Sequence, residues 1–464
     1  MEKTYNILRY KHWLLLFALI FVLFGCKDDD DNNGNNNSNC EIEEITPYSA
    51  NNNVIYEANL RNYSTQSNFK GLENDLCRLK NMGVDIIWLM PVHPIGKVNR
   101  LGSKGSPYSI VDYKAINPEF GTEADFRSLI RKAHEYDMQI WMDWVANHTA
   151  WDHPWVKTNI DFYATSSTGE RPYSPEDWSD VIQLDYNNQE LQDVMIDAMK
   201  YWVREFDIDG YRCDAATYVP LAFWRKAKTA VNEIKEITWL CEGDSPTYMS
   251  VFDCDYAWGF NDALNSFGEN KDVATLKTQC ERLFNHGSYK KKSRMVYLTN
   301  HDLNAYEGTE FKRYGDFVLP LTILSFTIYD LPLIYNGQEI GFNKVMNLFD
   351  TRFVEWKRGS QSYAELFKKL SKLRRTHAAL ENGENRGELK FYETTNSKVL
   401  AFSRTKDNKE IVVLLNFSEQ AVQVKFTTES PSGVYQDYLS EGEITINNNT
   451  TISLPVNGYV VYVK

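Results

Sequence analysis

The sequence lacks an excess of positive charge. Its 50 Lys and Arg residues are outnumbered by 63 Asp and Glu residues, and the formal net charge at pH 7 is -13. Binding to nucleic acid needs a basic surface that neutralises phosphates, so we expect no nucleic-acid partner and a neutral ligand. The seven cysteines form no CxxC pair and no Cys/His cluster, which argues against a zinc or redox site. We predict mostly free thiols among the six cysteines that follow Cys26.

Long hydrophobic runs are also scarce. An apolar run covers residues 13–24, after basic residues at positions 3, 9 and 11. It is shorter than the roughly 20 apolar residues that span a bilayer, which is typical of a secretion signal. It ends in Leu-Phe-Gly-Cys26, which resembles a bacterial lipoprotein processing site; an ordinary signal peptide with a chance cysteine is the alternative. We therefore expect a lipoprotein signal peptide over residues 1–25, a lipid on Cys26 that binds the membrane, and export to the outer membrane or the cell surface.

The segment after Cys26 has nothing to bury. Residues 27–39 are Lys, Asp, Asn, Gly and Ser alone. Such a composition predicts a solvated chain, so we expect a flexible acidic and Asn-rich tether over residues 26–46. The acidic start resembles the surface-export signal of some Gram-negative lipoproteins, and a plain linker explains it equally well.

Strand-like and helix-like segments alternate from residue 54 onward, which indicates βα units and a parallel sheet. The predicted strands cover residues 54–58, 85–90, 139–144, 208–213, 237–241, 251–255, 295–298 and 331–335. Helical patterns cover residues 69–82, 123–136, 189–206, 221–234, 273–284, 317–329 and 362–373. Eight strands with helical crossovers predict a (β/α)8 TIM barrel over residues 47–386.

Two departures from this alternation predict further domains. The connection after the third strand is unusually long and rich in Trp, Pro and Asp, so residues 149–188 are expected to form a small inserted domain over the site. After about residue 386, short alternating segments separated by turn residues predict a C-terminal antiparallel β-sandwich over residues 387–464.

Several of the predicted barrel strands end in a carboxylate. Asp214 follows Gly-Tyr-Arg-Cys, Glu242 follows Ile-Thr-Trp-Leu-Cys, Asp302 ends Leu-Thr-Asn-His-Asp, and Asp143 opens Asp-Trp-Val-Ala-Asn-His. Any one of these acids could be a helix N-cap or a salt-bridge partner. Together they lie where the chemistry of a barrel enzyme sits, at the carboxyl ends of the strands.

These segments, in this order, closely resemble motifs of the α-amylase family of glycoside hydrolases. Residues 143–148 resemble its first motif, 210–214 the second, Glu242 the third and 300–302 the fourth. Leu184-Asp185 resembles the short motif of the inserted domain, and residues 105–108 (Gly-Ser-Pro-Tyr) with 120–122 (Phe-Gly-Thr) resemble the segment after the second strand. The resemblance runs from about residue 54 to the C-terminus.

The resemblance implies three catalytic acids. Asp214 would be the nucleophile, Glu242 the general acid/base and Asp302 the carboxylate that holds and distorts the sugar. Arg212 would fix the nucleophile. The physical chemistry agrees, because retaining cleavage needs one ionised and one protonated carboxyl group about 5 to 5.5 Å apart. We expect Arg212 to lower the pKa of Asp214, and apolar surroundings and neighbouring acids to raise that of Glu242.

The resemblance also implies residues that bind the sugar. His148 and His301 would hydrogen-bond the ring before the cleaved bond, and Tyr108 would stack beneath it. A lone histidine in a barrel is more often structural, but an Asn-His pair at two strand ends favours function. Tyr218 is expected either to stack on the sugar beyond the cleaved bond or to pack against the inserted domain.

One segment departs from the family pattern. Many starch-cleaving members carry Lys-His after the nucleophile, and this chain reads Ala-Ala-Thr-Tyr over residues 215–218. The missing pair normally binds the acceptor sugar and supports a calcium site. Asn147 and Asp185 match family calcium ligands, and their oxygens suit either a structural Ca²⁺ or plain hydrogen bonding. We expect no cofactor in the chemistry itself.

The sequence therefore predicts a monomeric enzyme that performs retaining, endo-type hydrolysis of α-glucosidic bonds, mainly α-1,4, in starch, maltodextrins or related α-glucans. A transglycosylase would differ only in whether a sugar hydroxyl or water resolves the covalent intermediate, which motifs do not separate. A non-catalytic glycan-binding protein is the third option. Loss of catalysis would show as a missing carboxylate, and all three acids and Arg212 are present.

Overall fold

The structure, a computed structural model, describes residues 41–287 and 292–464. The predicted signal peptide, Cys26 and most of the predicted tether lie outside these ranges. Residues 41–464 form one compact unit. Within the described part of the chain, no helix is long and apolar enough to cross a membrane. Cys213, Cys241, Cys254 and Cys280 are buried free thiols, whereas Cys77 is disulfide-bonded.

A closed parallel barrel forms the centre of the structure. Ten strands precede the C-terminal region in the described residues: β1 (Ile55–Ala58), β2 (Ile86–Leu89), β3 (Gln139–Val145), β4 (His148–Ala150), β5 (Val181–Gln183), β6 (Gly210–Asp214), β7 (Thr238–Cys241), β8 (Cys254–Tyr256), β9 (Ser293–Val296) and β10 (Leu331–Tyr335). All but β4 and β5 close in the order β1-β10-β9-β8-β7-β6-β3-β2. The predicted TIM barrel is confirmed.

The alternation of side chains along the strands builds two apolar layers. Large side chains such as Trp88, Trp141 and Tyr256 form a cluster of their own inside the barrel, while Ile87, Ile140 and Tyr211 belong to the larger cluster that includes the surrounding helices. Strands covered on both faces explain the continuous apolar runs of the sequence. The sixth barrel strand, β8, starts three residues later than predicted, because the buried Val251 and Phe252 belong to the preceding turn.

Twelve α-helices occur in the described residues: α1 (Leu60–Tyr63), α2 (Phe69–Glu73), α3 (Leu76–Met82), α4 (Glu123–Glu135), α5 (Trp155–Thr158), α6 (Gln189–Phe206), α7 (Leu221–Asn232), α8 (Trp258–Asn270), α9 (Val273–Phe284), α10 (Glu310–Tyr314), α11 (Val318–Thr327) and α12 (Gln361–Thr376). Helix α4 begins with a capping box between Thr122 and Asp125, which satisfies two free backbone N–H groups. Helix α8 was not predicted, since it contains Gly259 and Gly268 and begins without a side-chain cap.

The long connection after β3 forms the inserted region. Strands β4 and β5 pair antiparallel, with His148 opposite Gln183 and Ala150 opposite Val181. Trp151 Nε1 donates a hydrogen bond to the Ser179 carbonyl at 3.0 Å. Strand β4 follows β3 almost directly, so this two-stranded sheet lies next to the carboxyl ends of the barrel strands.

The C-terminal region is antiparallel, as predicted. Its strands are β11 (Glu388–Tyr392), β12 (Val399–Lys406), β13 (Lys409–Asn416), β14 (Val422–Val424), β15 (Gly433–Asp437), β16 (Gly442–Ile446), β17 (Ile452–Leu454) and β18 (Tyr459–Val463). Six form the sheet β11-β12-β13-β18-β15-β16, and β14 pairs with β17. The hairpin of β15 and β16 was not predicted, because each strand has only five residues and few of them are apolar and buried, chiefly Tyr435 and Ile446.

A buried arginine joins this region to the barrel helices. The side chain of Arg404, on β12, is fully buried and donates to the Ile328 carbonyl at 2.8 Å, just after α11. Helix α11 is apolar on all sides because it lies between the barrel and the C-terminal sheet, in contact with β13.

Candidate active site

One buried guanidinium binds three of the carboxylates at the strand ends. Arg212 Nη1 lies 2.9 Å from Asp143 Oδ1 and 2.8 Å from Asp214 Oδ1, and Nη2 lies 2.7 Å from Glu242 Oε1. Arg212 Nε also donates to the Tyr256 hydroxyl at 3.1 Å. Neighbouring strands produce this arrangement, since Asp143 on β3 is in register with Arg212 on β6, and Leu240 on β7 is its other partner.

The backbone after β6 is shaped to meet Glu242. Ala215 has φ +42°, a left-handed conformation that costs a non-glycine residue about 1–2 kcal/mol. In that conformation the Ala215 N–H donates to Glu242 Oε2, while the Glu242 N–H donates to the Cys213 carbonyl at 3.1 Å. The turn therefore fixes Glu242 next to Asp214.

Burial dominates the acidities of this cluster. It raises the pKa of Asp214 to about 6, from an ordinary 3.8, although Arg212 opposes the shift. The expectation of a lowered pKa for Asp214 is therefore wrong, because desolvation outweighs the adjacent guanidinium. Burial, together with Asp214 and Asp302, raises the pKa of Glu242 to about 7 against the opposing effect of Arg212, as predicted. Asp214 thus ionises before Glu242.

Asp302 belongs to a second cluster of charged side chains, centred on His301. His301 Nδ1 lies 2.5 Å from Glu57 Oε1, and Nε2 lies 3.2 Å from Asp302 Oδ2 and 2.8 Å from the Tyr108 hydroxyl. Burial disfavours the charged imidazole, but Asp302 and Glu57 outweigh it and raise the pKa of His301 well above its ordinary value. Burial would raise the pKa of Asp302, but His301 and Arg212 outweigh burial and lower it. At neutral pH the site holds a cationic His301 and an ionised Asp302.

Tyr108 connects the two groups. Its hydroxyl donates to Asp143 Oδ2 at 3.1 Å, and its ring stacks on His301 with centroids 5.3 Å apart. Trp88 Nε1 also donates to Asp143 Oδ2, at 3.1 Å. Asp143 is thereby held by three donors and supports both Tyr108 and Arg212.

These acids open into a cavity of about 380 Å³, near the lower end of the 300–1,000 Å³ typical of small-molecule sites. The cavity is lined by Tyr108, His148, Asp214, Glu242, His301 and Asp302, by residues 177–178 and 180–181 of the inserted region, and by Leu101, Ser106, Ala215, Tyr306, Leu348 and Phe349. A larger groove of about 680 Å³ lies between α3 and α12, on the outside of the barrel. We place the site in the smaller cavity because the acids line it.

Aromatic side chains stand at its rim. Trp178 lies 5.5 Å from the His148 ring and 6.0 Å from the Tyr218 ring, measured between centroids. Tyr218 is 55% exposed; it contacts Trp178, which lines the cavity, but is not itself among the lining residues. Tyr306, in a π-helical turn over Leu303–Glu307, is also exposed and lines the cavity.

The predicted calcium ligands are engaged by side-chain amides. Gln183 Nε2 donates to Asn147 Oδ1 at 2.8 Å and lies 3.3 Å from the carbonyls of Asn147 and Leu184. Asp185 Oδ1 accepts from the backbone and side chain of Asn187, at 3.0 and 2.8 Å. The described residues contain no group of three or more His, Cys, Asp or Glu side chains suited to a metal. The oxygens around Asn147 already bind an N–H donor, so they do not fit a calcium ion.

Besides several residues that line the cavity, sequence reasoning missed three buried residues that hydrogen-bond to the charged groups of the site. Glu57 and Trp88 lie inside predicted strands, and Tyr256 lies one residue beyond one. Glu57 offered a signal, because a lone acid within Val-Ile-Tyr-Glu-Ala is costly to bury without a cationic partner. Trp88 and Tyr256 offered none, since aromatic residues are common in buried strands.

A barrel with paired acids at its strand ends defines an enzyme of general acid/base chemistry. Comparison with known proteins gives the family. The model of the alpha-amylase catalytic domain matches residues 35–181 and 166–387, and that of the maltogenic amylase C-terminal domain matches residues 389–463. The chain therefore belongs to the α-amylase family of glycoside hydrolases.

Individual relatives agree. Alpha-amylase MalA of Haloarcula japonica is 25% identical over 439 residues, a stretch that covers 89% of this chain and 63% of that protein. The solved structure of the maltogenic alpha-amylase AmyB from Thermotoga neapolitana has a TM-score of 0.79 at 29% identity and covers 89% of this chain and 99% of that one. An alpha-amylase from Lactobacillus plantarum has a TM-score of 0.78 at 30% identity, with the same two coverages.

Proposed function

We propose that this protein hydrolyses α-glucosidic bonds, mainly α-1,4, in maltodextrins, starch or related α-glucans, with retention of anomeric configuration. The observation that carries the proposal is the pair of carboxyl groups bridged by Arg212. Asp214 and Glu242 bind the two terminal nitrogens of one guanidinium at 2.8 and 2.7 Å. This supports a short distance between the two carboxyl groups, as retaining cleavage requires.

In the first step, an ionised Asp214 oxygen attacks the anomeric carbon while Glu242 gives its proton to the leaving oxygen. The glycosidic bond breaks and a glycosyl ester forms on Asp214. In the second step Glu242, now ionised, takes a proton from water, which attacks the same carbon and releases Asp214. The order of the two pKa values, about 6 and about 7, favours this division of roles.

The remaining groups would hold the sugar. Asp302 faces the cavity as an acceptor of hydrogen bonds from ring hydroxyls, and the cationic His301 beside it, whose Nε2 already contacts Asp302 and Tyr108, would keep Asp302 ionised and in place for the sugar. Tyr108 offers a flat apolar surface beneath a sugar ring. His148 lines the same cavity, and burial lowers its pKa to about 4, so it would meet the sugar as a neutral group.

A trapping experiment tests the proposal. The enzyme forms a glycosyl ester from a fluoroglycosyl fluoride quickly, but water hydrolyses this fluorinated ester slowly. The ester therefore accumulates, and the peptide that contains Asp214 should gain the mass of one fluorinated sugar. The first-formed product of maltodextrin cleavage should be the α-anomer by NMR. Labelling of another residue, or a β-anomer as first product, would contradict the proposed mechanism.

A transglycosylase is a second candidate, favoured by two exposed tyrosines: Tyr306, which lines the cavity, and Tyr218, which contacts the lining residue Trp178. Such rings can hold an acceptor sugar whose hydroxyl replaces water in the second step. Products longer than the substrate at high maltotriose concentration would support it.

We also propose that Cys26 carries a lipid and attaches the enzyme to a membrane. The proposal rests on the sequence that ends at Cys26 and on the polar residues that follow it. Cys26→Ser should release the protein from the membrane fraction or block its processing, and unchanged fractionation would contradict the proposal.

A further inference from the structure

Two loops meet beside the active-site cavity. Ser103, in the loop after β2, donates to Asp350 Oδ1 through its N–H at 3.0 Å and through its hydroxyl at 2.5 Å. The Lys104 N–H donates to the Phe349 carbonyl at 2.9 Å. Asp350 belongs to the segment after β10, so the two loops are joined although they lie nearly 250 residues apart in the chain. We call residues 101–106 and 347–350 the end wall.

The end wall is held from beneath by a third element. Arg61, in the segment after β1, is only 3% exposed, and its Nη1 donates to the Gly105 carbonyl at 2.8 Å and to the Leu348 carbonyl at 2.9 Å. One buried guanidinium group thus binds both halves of the wall. Asn347 Oδ1 accepts from the backbone N–H of Phe349 and of Asp350, at 2.9 and 2.8 Å, which fixes the second half.

The two halves also pack at van der Waals distance. Gly102 has φ +60°, and a Cβ added there would lie 2.5 Å from Phe349 Cβ and 2.8 Å from its carbonyl oxygen. A side chain at this position would therefore separate the loops. Four wall residues, Leu101, Ser106, Leu348 and Phe349, line the cavity that contains the acids.

Barrel topology gives the direction in which the wall lies. The loops after β2 and β10 flank β1, since β1 pairs with both strands. In the ring of eight strands, β7 is four positions from β1 in either direction, so it lies opposite. Glu242, which protonates the leaving group in the proposed function, follows β7. The leaving group therefore departs toward β7, and the sugars that stay on the enzyme extend toward β1 and the wall.

We propose that the end wall closes the donor side of the cleft, so that the enzyme releases short oligosaccharides from the non-reducing ends of α-glucans. This inference rests on the proposed function and differs from the mid-chain cleavage that the family resemblance implies. A cleft for mid-chain cleavage must let the substrate continue past both ends. Here the donor end meets loops joined by three hydrogen bonds and a buried arginine, next to a cavity of about 380 Å³.

The experiment compares two aryl maltoheptaosides that differ only at the non-reducing end, one free and one blocked by an ethylidene acetal on the terminal sugar. For the wild-type enzyme, kcat/KM on the blocked substrate should be at least about tenfold lower, and free maltoheptaose should first give one short product together with the single longer remainder that complements it. Equal rates on both substrates with a broad range of first products would overturn the proposal. No activity on any α-glucan would instead refute the proposed function.

Variants of the end wall test whether it causes the lower kcat/KM on the blocked substrate. The double variant Ser103→Ala, Asp350→Ala removes both side-chain bonds between the loops, and Phe349→Ala removes a lining side chain. Either should raise the rate on the blocked substrate relative to the free one and widen the first products. Ser440→Ala, Asp437→Ala is the matched control, since it removes a similar Ser–Asp bond of 3.0 Å in the C-terminal sheet. A wall variant that keeps its melting temperature and the wild-type discrimination would contradict the assignment.

Discussion

The pH dependence of activity in the wild type and in Glu242→Gln tests most directly whether Glu242 is the acid and Asp214 the nucleophile. The wild-type enzyme is reactive with Asp214 ionised and Glu242 protonated. Activity should fall as pH drops below about 6, because Asp214 takes up a proton, and as pH rises above about 7, because Glu242 loses one. The optimum should therefore lie at about pH 6.5.

The magnitude follows from the two values. At about pH 6.5 roughly 0.6 of the enzyme is in the reactive form, and at about pH 5 or pH 8 this fraction falls to roughly 0.1. Carboxyl groups with the ordinary values of 3.8 and 4.5 would leave only about 0.01 of the enzyme reactive at pH 6.5. Burial around Arg212 thus moves the working range upward by about two pH units.

The assay measures kcat/KM between about pH 4 and pH 9 on a maltooligosaccharide and on an aryl maltoside with an activated leaving group. Glu242→Gln should lose about a hundred to ten thousandfold on the first substrate and much less on the second, whose leaving group needs no proton. On the second substrate the alkaline limb should disappear while the acid limb stays. An alkaline limb that persists in Glu242→Gln, or equal losses on both substrates, would refute the reasoning.

Asp214→Asn should abolish turnover by several orders of magnitude without unfolding the protein, because an amide of equal shape forms no glycosyl ester; circular dichroism checks the fold, and more than about a tenth of the wild-type rate would contradict the role. Glu57→Gln should lower the pKa of His301, so the loss of activity that accompanies its deprotonation should move to lower pH, and a pH profile identical to the wild type would show that Glu57 does not act on His301. Gln183→Glu places a carboxylate among the two Asn147 oxygens and the Leu184 carbonyl, so excess Ca²⁺ should stabilise this variant, by about 2.7 kcal/mol at a Ca²⁺ concentration of a hundred times Kd. The melting temperature of the wild type should not change with Ca²⁺ or EDTA. Tyr218→Ala should lower kcat/KM on maltotriose and pullulan with little change in melting temperature; a large fall in melting temperature with unaltered substrate ranking would show a packing role instead.

The positions of the catalytic acids at strand ends could be predicted because the signal lies in a few consecutive residues. An apolar run that stops at Asp214 or Glu242 places the acid at the carboxyl end of a buried strand wherever the strand sits in the sheet. The pKa of Asp214 could not be judged this way, because it depends on how deeply other strands bury the residue. The sequence shows that Arg212 is close to Asp214, but it does not show how far Asp214 is removed from solvent.

Features built from distant segments were beyond reach of the sequence. The bond between Ser103 and Asp350 links two polar loops that carry ordinary turn residues, and the amide of Gln183 gives no local sign that it faces Asn147. Short or interrupted elements were predicted less well for another reason. Helix α8 was missed because two glycines interrupt its pattern, and strand β8, which has only three residues, was predicted to start three residues too early.

The position of Arg61 also has a consequence for how the chain matures during synthesis. Arg61 leaves the ribosome early, whereas Leu348 and Asp350 follow almost three hundred residues later, after the strand that closes the barrel against β1. A nascent chain that stops before this point holds Asp214, Glu242 and Asp302 but has no partner for Arg61 after β10 and no second half of the end wall. Without β10 the barrel does not close, so the proposed selectivity for chain ends can arise only once the first and last barrel strands have met.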